Sequence, residues 1–168
     1  MGRKIFNICE MDKASGAAAH KIYNDCIRSG EYAFAAETAD FEKWYAGFLP
    51  NNRAVAKENG KVIGFAALSP IYRAEYFSGI AAVSVYVEKS RRRLGAGLAL
   101  LNTLIDSAGE HGLWTLHSYI FTENLASVRL HERAGFREAG MFIEAGTLNG
   151  KWKDVFVYEF TLNKHKTR

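Results

Sequence analysis

The residues with the most chemical content lie between Val83 and Leu101, in VSVYVEKSRRRLGAGLALL. An apolar run ends at Val87, a basic loop carries Lys89, Arg91, Arg92 and Arg93, and Gly95-Ala96-Gly97 opens a helical pattern. A helix start offers unpaired backbone N–H donors and the positive end of the macrodipole. Glycine lets a bulky anion approach the backbone, and arginines add charge-assisted hydrogen bonds. Arg92, Arg93, Leu94, Gly95, Ala96, Gly97 and Leu98 therefore read as a cradle for a pyrophosphate. The pattern is not a Walker loop, which needs G-x-x-x-x-G-K-[ST], and GAGLAL lacks the third small residue of a dinucleotide fingerprint. On the residues alone, a glycine-containing strand-to-helix loop with a solvated basic run remains the alternative.

A second set follows in FTENLASVRLHERAGF, residues 121–136. Asn124 and Ser127 fit an N-cap and the third position of a helix. His131 falls four residues after Ser127 and so shares its helical face. These residues equally suit a capped helix with an interface histidine. The remaining histidines, His20, His111, His117 and His165, show no metal-ligand spacing, so no metal is expected. There is no G-x-S-x-G elbow and no evident thiol nucleophile, which favours direct transfer over a covalent enzyme intermediate.

These segments need a scaffold. Strands are expected over 3–9, 53–58, 61–68, 80–87, 113–121, 136–143 and 152–162. Helices are expected over 13–28 (N-cap Asp12), 39–48 (N-cap Thr38), 95–110 and 125–134. Ala18, Ile22 and Cys26 would form one stripe of the first helix, and Leu98, Leu101, Ile105 and Ala108 one of the third. Asn59-Gly60 is a two-residue hairpin signal, and Asn149-Gly150 sits in the last turn. The order β-α-α-β-β-β-α-β-α-β-β predicts an α/β (α+β) fold, a mixed sheet with helices on both faces.

The chain has 168 residues, of which 48% are hydrophobic and 24% charged, enough apolar content for one folded domain. That domain is expected over 1–162, with 163–168 as a short basic tail. The net charge is +4, and without Lys164, Lys166 and Arg168 the body carries +1. A nucleic-acid binder would need a basic face, so that class is disfavoured. No apolar run approaches membrane-spanning length and no secretory signal is recognisable, so the cytoplasm is the expected compartment. Two cysteines make no disulfide framework, and Cys9 and Cys26 are expected to be buried or half-buried thiols.

The Arg92–Gly97 hexapeptide fits [RQ]-x-x-G-x-G and resembles the GNAT superfamily of N-acetyltransferases. Residues 124–136 resemble that family's N-x-x-[SA]-x-x-[LF]-[YH]-x-x-x-GF. Residues 146–155, with Trp152 and Asp154, resemble the G-x-x-x-G-x-W-x-D-V ending of its phosphinothricin, methionine sulfoximine and arsinothricin acetyltransferases. The resemblance runs from Tyr23-Asn24 to residue 160. It implies a central splayed parallel strand pair and acetyl-CoA as co-substrate, with the backbone of Val85, Tyr86 and Val87 beside the pantetheine. It further implies Asn124 and Ser127 on the coenzyme, His131 near the sulfur as a general acid, a small-molecule amine acceptor and a homodimer.

The same resemblance places the acceptor between the first two helices and after Pro70, which points to Phe34, Glu37, Tyr72 and Arg73. The chain departs from the pattern there: Ala35 stands where relatives are usually acidic, and Arg73 is offset by one. It departs again at Ala82, where relatives often carry a glutamate three residues before Val85 that is a candidate general base. Another group, a water chain or an already deprotonated amine must then serve. Slow turnover on α-amino acids is expected, with kcat/KM still rising above pH 8 as free amine accumulates. A weakly catalytic coenzyme-binding module and a protein or peptide acetyltransferase are the other readings.

Overall fold

The computed structural model describes residues 5–30, 40–72 and 74–162. Its strands are β1 (Asn7–Glu10), β2 (Arg53–Glu58), β3 (Lys61–Pro70), β4 (Ile80–Val87), β5 (Thr115–Phe121), β6 (Arg137–Leu148) and β7 (Lys151–Thr161). Its helices are α1 (Lys13–Arg28), α2 (Phe41–Ala46), α3 (Ala96–Glu110) and α4 (Leu125–Arg133). The sheet has seven strands in the order β1-β2-β3-β4-β5-β7-β6. All neighbours are antiparallel except β4 and β5. This is the expected mixed α/β arrangement with its parallel pair at the centre.

Both faces of the middle strands are covered, which is why β3 is buried along most of its length. On one face Leu100, Leu101, Leu104 and Ala108 of α3 pack over Ala66, Leu68, Ala81 and Leu116. On the other, Ala19 and Ile22 of α1 and Trp44 of α2 pack over Val55, Val62 and Phe65.

Several boundaries differ from those expected. α2 is shorter than 39–48, and its cap is Asp40, whose carboxylate accepts from the Glu42 N–H at 2.8 Å; Thr38 lies outside the described residues. β6 runs on to Leu148, because the Asn149-Gly150 turn closes a hairpin register that starts at Leu148↔Lys151. The buried stripe of α1 is Ser15, Ala19 and Ile22, and Ala18 is exposed. In α3, Leu98 and Ile105 are only half-buried, since Leu100 and Leu104 hold the centre of the contact. Cys9 is exposed, contrary to expectation, because β1 is a four-residue edge strand. The tail 163–168 lies outside the described residues.

Candidate active site

β4 and β5 pair only at Ile80↔Thr115, Ala81↔Leu116 and Ala82↔His117, and beyond that point they part. Each stays bound to its outer neighbour, β4 to β3 as far as Gly64↔Val87 and β5 to β7 as far as Phe121↔Val155. A wedge therefore opens between 83–87 and 118–121, with α3 starting beyond one arm and α4 beyond the other.

Strand alternation decides which backbone groups face it. The Glu88 N–H donates to the Ile63 carbonyl at 2.8 Å, so in this register Tyr86 and Ser84 also bond β3. Val85 and Val87 then turn their N–H and C=O groups to the open edge. The guanidinium of Arg92 donates to the Val87 carbonyl at 3.2 Å, on that side. Tyr86, expected beside the pantetheine, instead pairs its backbone with β3. Its ring stacks on Phe65 at 5.4 Å under α1, and burial holds its phenol well above the ordinary range.

The wide end of the wedge meets the start of α3. Among the four helices only α3 lacks a side-chain cap; Asp12, Asp40 and Asn124 cap the others. Ala99 makes the first intrahelical bond, to the Gly95 carbonyl, leaving the N–H groups of Ala96, Gly97 and Leu98 for an anion. Gly95 adopts φ +89°, which turns the chain from loop into helix at a conformation that favours glycine. A Cβ on Gly97 would meet Leu130 at 3.4 Å and Val87 at 3.8 Å, so this glycine lies between strand and α4 at the wedge mouth.

The basic loop divides its charges. Arg91 is paired with Glu58 at 2.7 Å, whereas Arg92, Arg93 and Lys89 form no ion pair among the described residues. A cavity of about 450 Å³ beside the cradle is lined by residues that include Ile22, Asp25, Cys26, Glu88, Lys89 and Arg92. These donors and cations fit the pyrophosphate and extended arm of acetyl-CoA.

α4 brings Asn124, Ser127 and His131 together as the spacing predicts. Asn124 accepts from the Ser127 N–H at 3.1 Å, and the Nδ1 of His131 lies 2.8 Å from the Ser127 carbonyl and 3.3 Å from its hydroxyl. His131 is 2% exposed and edge-on to Phe136 at 5.1 Å. Burial lowers its pKa, against a smaller opposing effect from the Ser127 carbonyl. The ring is thus neutral, with Nδ1–H donating to that carbonyl, and its buried Nε2 has no partner among the described residues.

The acceptor side is only partly described. Phe34, Glu37 and Arg73 lie outside the described residues. Tyr72 is exposed and packs on Phe77 at 5.0 Å. Burial raises the pKa of Tyr119 on β5, with a smaller effect in the same direction from Tyr72. His117 enters the sequence reading only among the histidines without metal-ligand spacing. What distinguishes it is its register with Ala82, which spacing along the chain does not carry. No cluster suited to a metal ion occurs among the described residues, and none of their helices is long and apolar enough to cross a membrane.

Residues 17–136 match the model of the acetyltransferase (GNAT) family. The chain is 31% identical to an L-methionine sulfoximine/L-methionine sulfone acetyltransferase of Salmonella typhimurium, over 92% of this chain and 93% of that protein. It is 34% identical to a phosphinothricin N-acetyltransferase of Streptomyces viridochromogenes, over 84% and 80%. An acetyltransferase of Salmonella typhimurium solved with its cofactor acetyl-CoA superposes with a TM-score of 0.88 at 30% identity, covering 96% of each chain.

Proposed function

The chain belongs to the GNAT acetyltransferase family, and from that premise we propose that it acetylates the amine of an amino acid or close analogue. Methionine sulfoximine and phosphinothricin are the model acceptors. The enzyme is an acetyl-CoA-dependent N-acetyltransferase. The observation that carries the finer reading is the β4–β5 wedge with the uncapped start of α3 at its wide end.

When bound, acetyl-CoA supplies a thioester carbon that an amine can attack. The free N–H groups of Ala96, Gly97 and Leu98 hold the pyrophosphate, with Arg92, Arg93 and Leu94 around it. Val85 and Val87 present N–H groups along the open edge, where they orient the arm and polarise the carbonyl. The C–N bond forms as the C–S bond breaks, the nitrogen loses a proton and the sulfur gains one. Asn124 and Ser127 position the coenzyme. His131 is assigned to the sulfur end, where its neutral ring accepts a hydrogen bond at Nε2 and returns a proton only after taking one. Tyr72, with Phe34, Glu37 and Arg73, forms the acceptor side.

Ala82 favours a second reading, a coenzyme-binding module with little turnover. A thiol-release assay with acetyl-CoA against amino acids, methionine sulfoximine, phosphinothricin, polyamines and peptides separates these readings. Release that depends on a small α-amine supports the proposal. Tight coenzyme binding without release for any amine supports the second reading, and release with peptides alone refutes the small-molecule acceptor.

A homodimer is proposed as well. Its support is the apolar surface of edge strand β6 and neighbouring β7, where Phe142 is 53%, Ile143 72% and Trp152 62% exposed. The exposed thiol of Cys9, outside any disulfide, supports a reducing compartment such as the cytoplasm.

A further inference from the structure

We propose that His117 is the general base, taking the proton of the acceptor ammonium at Nε2. This rests on the acetyl-transfer reading above and fills the role that Ala82 leaves open. His117 is the parallel partner of Ala82 in the last register pair before β4 and β5 part, so it stands at the apex of the wedge. Register neighbours project to the same face of a sheet. Leu116 and Ala81 belong to the core under α3, so His117 and Ala82 face the opposite side, where Ala82 sets no more than a methyl beside the imidazole.

The ring is poised but uncommitted. Its Nδ1 is sealed from solvent, and neither ring nitrogen has a hydrogen-bond partner among the described residues. Its one ring contact among the described residues is edge-on to Tyr119 at 6.4 Å. The ionisable groups facing His117 are Tyr119 on β5 and Glu159, its register partner on β7, which Arg137 of β6 engages in an ion pair. On the same face β4 carries Ala82, Ser84 and Tyr86, the last stacked on Phe65 at 5.4 Å. In the step itself one ammonium N–H bond breaks and its proton passes to Nε2. The freed nitrogen pair forms the C–N bond, the C–S pair leaves with sulfur, and the second proton that the nitrogen sheds on becoming an amide goes to that thiolate.

The test is the pH dependence of kcat at saturating acetyl-CoA and methionine sulfoximine, for wild type and His117→Gln, with acetyl-CoA affinity and thermal midpoint measured alongside. General-base assistance is worth about 10²–10⁴-fold. His117→Gln should lower kcat by about 100-fold, leave acetyl-CoA affinity unchanged and abolish the limb that the base contributes to the wild-type pH profile. The variant's rate should instead rise with free amine above pH 8. Should His117→Gln fail to fold, His117→Val, β-branched and suited to a strand, carries the same test. A kcat within about threefold of wild type overturns the proposal, and so does a lower kcat that keeps the wild-type limb, since packing would then be the residue's role. Absence of turnover with every amine in wild type would instead overturn the acetyl-transfer reading beneath it.

Discussion

Replacing Gly97 by aspartate sets coenzyme binding and folding in opposite directions. Gly97 is the second residue of α3, and an added Cβ would meet Leu130 and Val87 at ordinary contact distances of 3.4 Å and 3.8 Å. The fold therefore accepts a side chain there. Removing glycine from a helix gains about 0.5–1 kcal/mol, and an acidic group in the first turn about 0.3–1 more. The thermal midpoint should stay level or rise by about 2–4 °C per kcal/mol for a chain of this size. The same carboxylate would stand at the mouth of the wedge. At about 5 Å from one phosphate charge and an effective dielectric near 20, the repulsion is about 3 kcal/mol, or about 100-fold in Kd. Calorimetry with acetyl-CoA at low and moderate salt reads it, and the deficit should shrink as salt rises. Gly97→Ala, which adds bulk without charge, should lose less and show no salt dependence. If the folded aspartate variant binds acetyl-CoA within about threefold of wild type at low salt, the cradle is misplaced.

The lowered pKa of His131 makes the folded state take up its proton later than the unfolded chain as pH falls. Its stabilising contribution is thus complete above the ordinary imidazole range and is lost below about 6.5; denaturant melts of wild type and His131→Asn should diverge in pH sensitivity there. His131→Ala opens a buried cavity and should destabilise by about 2 kcal/mol or more, so its effect on kcat needs reading against its melting curve. Ala82→Glu should raise kcat near neutral pH if the apex accepts a second base, measured by thiol release with methionine sulfoximine. A Cβ on Gly79 would fall 2.0 Å from the Trp114 ring, so Gly79→Ala should cost about 1–3 kcal/mol in denaturant melts. Ile143→Lys should convert a dimer to monomer in sedimentation analysis while leaving the thermal curve at low concentration nearly intact.

Local signals carried most of the architecture. The Asn59-Gly60 turn sets β2 against β3, with positive φ at both residues. Asp12 and Asn124 cap the helices their spacing predicts. The cradle was legible because its glycines, cations and helix start are contiguous. The apex was not: Ala82 and His117 are far apart in sequence and meet only through the parallel register of β4 and β5. Parallel pairing has no turn to announce it. Tyr86 shows the same limit from the other side. It sits between two residues that face the wedge, and only the hydrogen-bond phase set by Glu88 and Ile63 turns it away.

The central claim is direct transfer inside the β4–β5 wedge, with both substrates present together. Initial rates measured over a grid of acetyl-CoA and methionine sulfoximine concentrations test it most directly. Direct transfer predicts double-reciprocal lines that intersect, with thiol release requiring the amine and lost in Gly97→Asp at low acetyl-CoA. Parallel lines, with a burst of thiol before any amine is added, would mean an acetylated enzyme intermediate and contradict it.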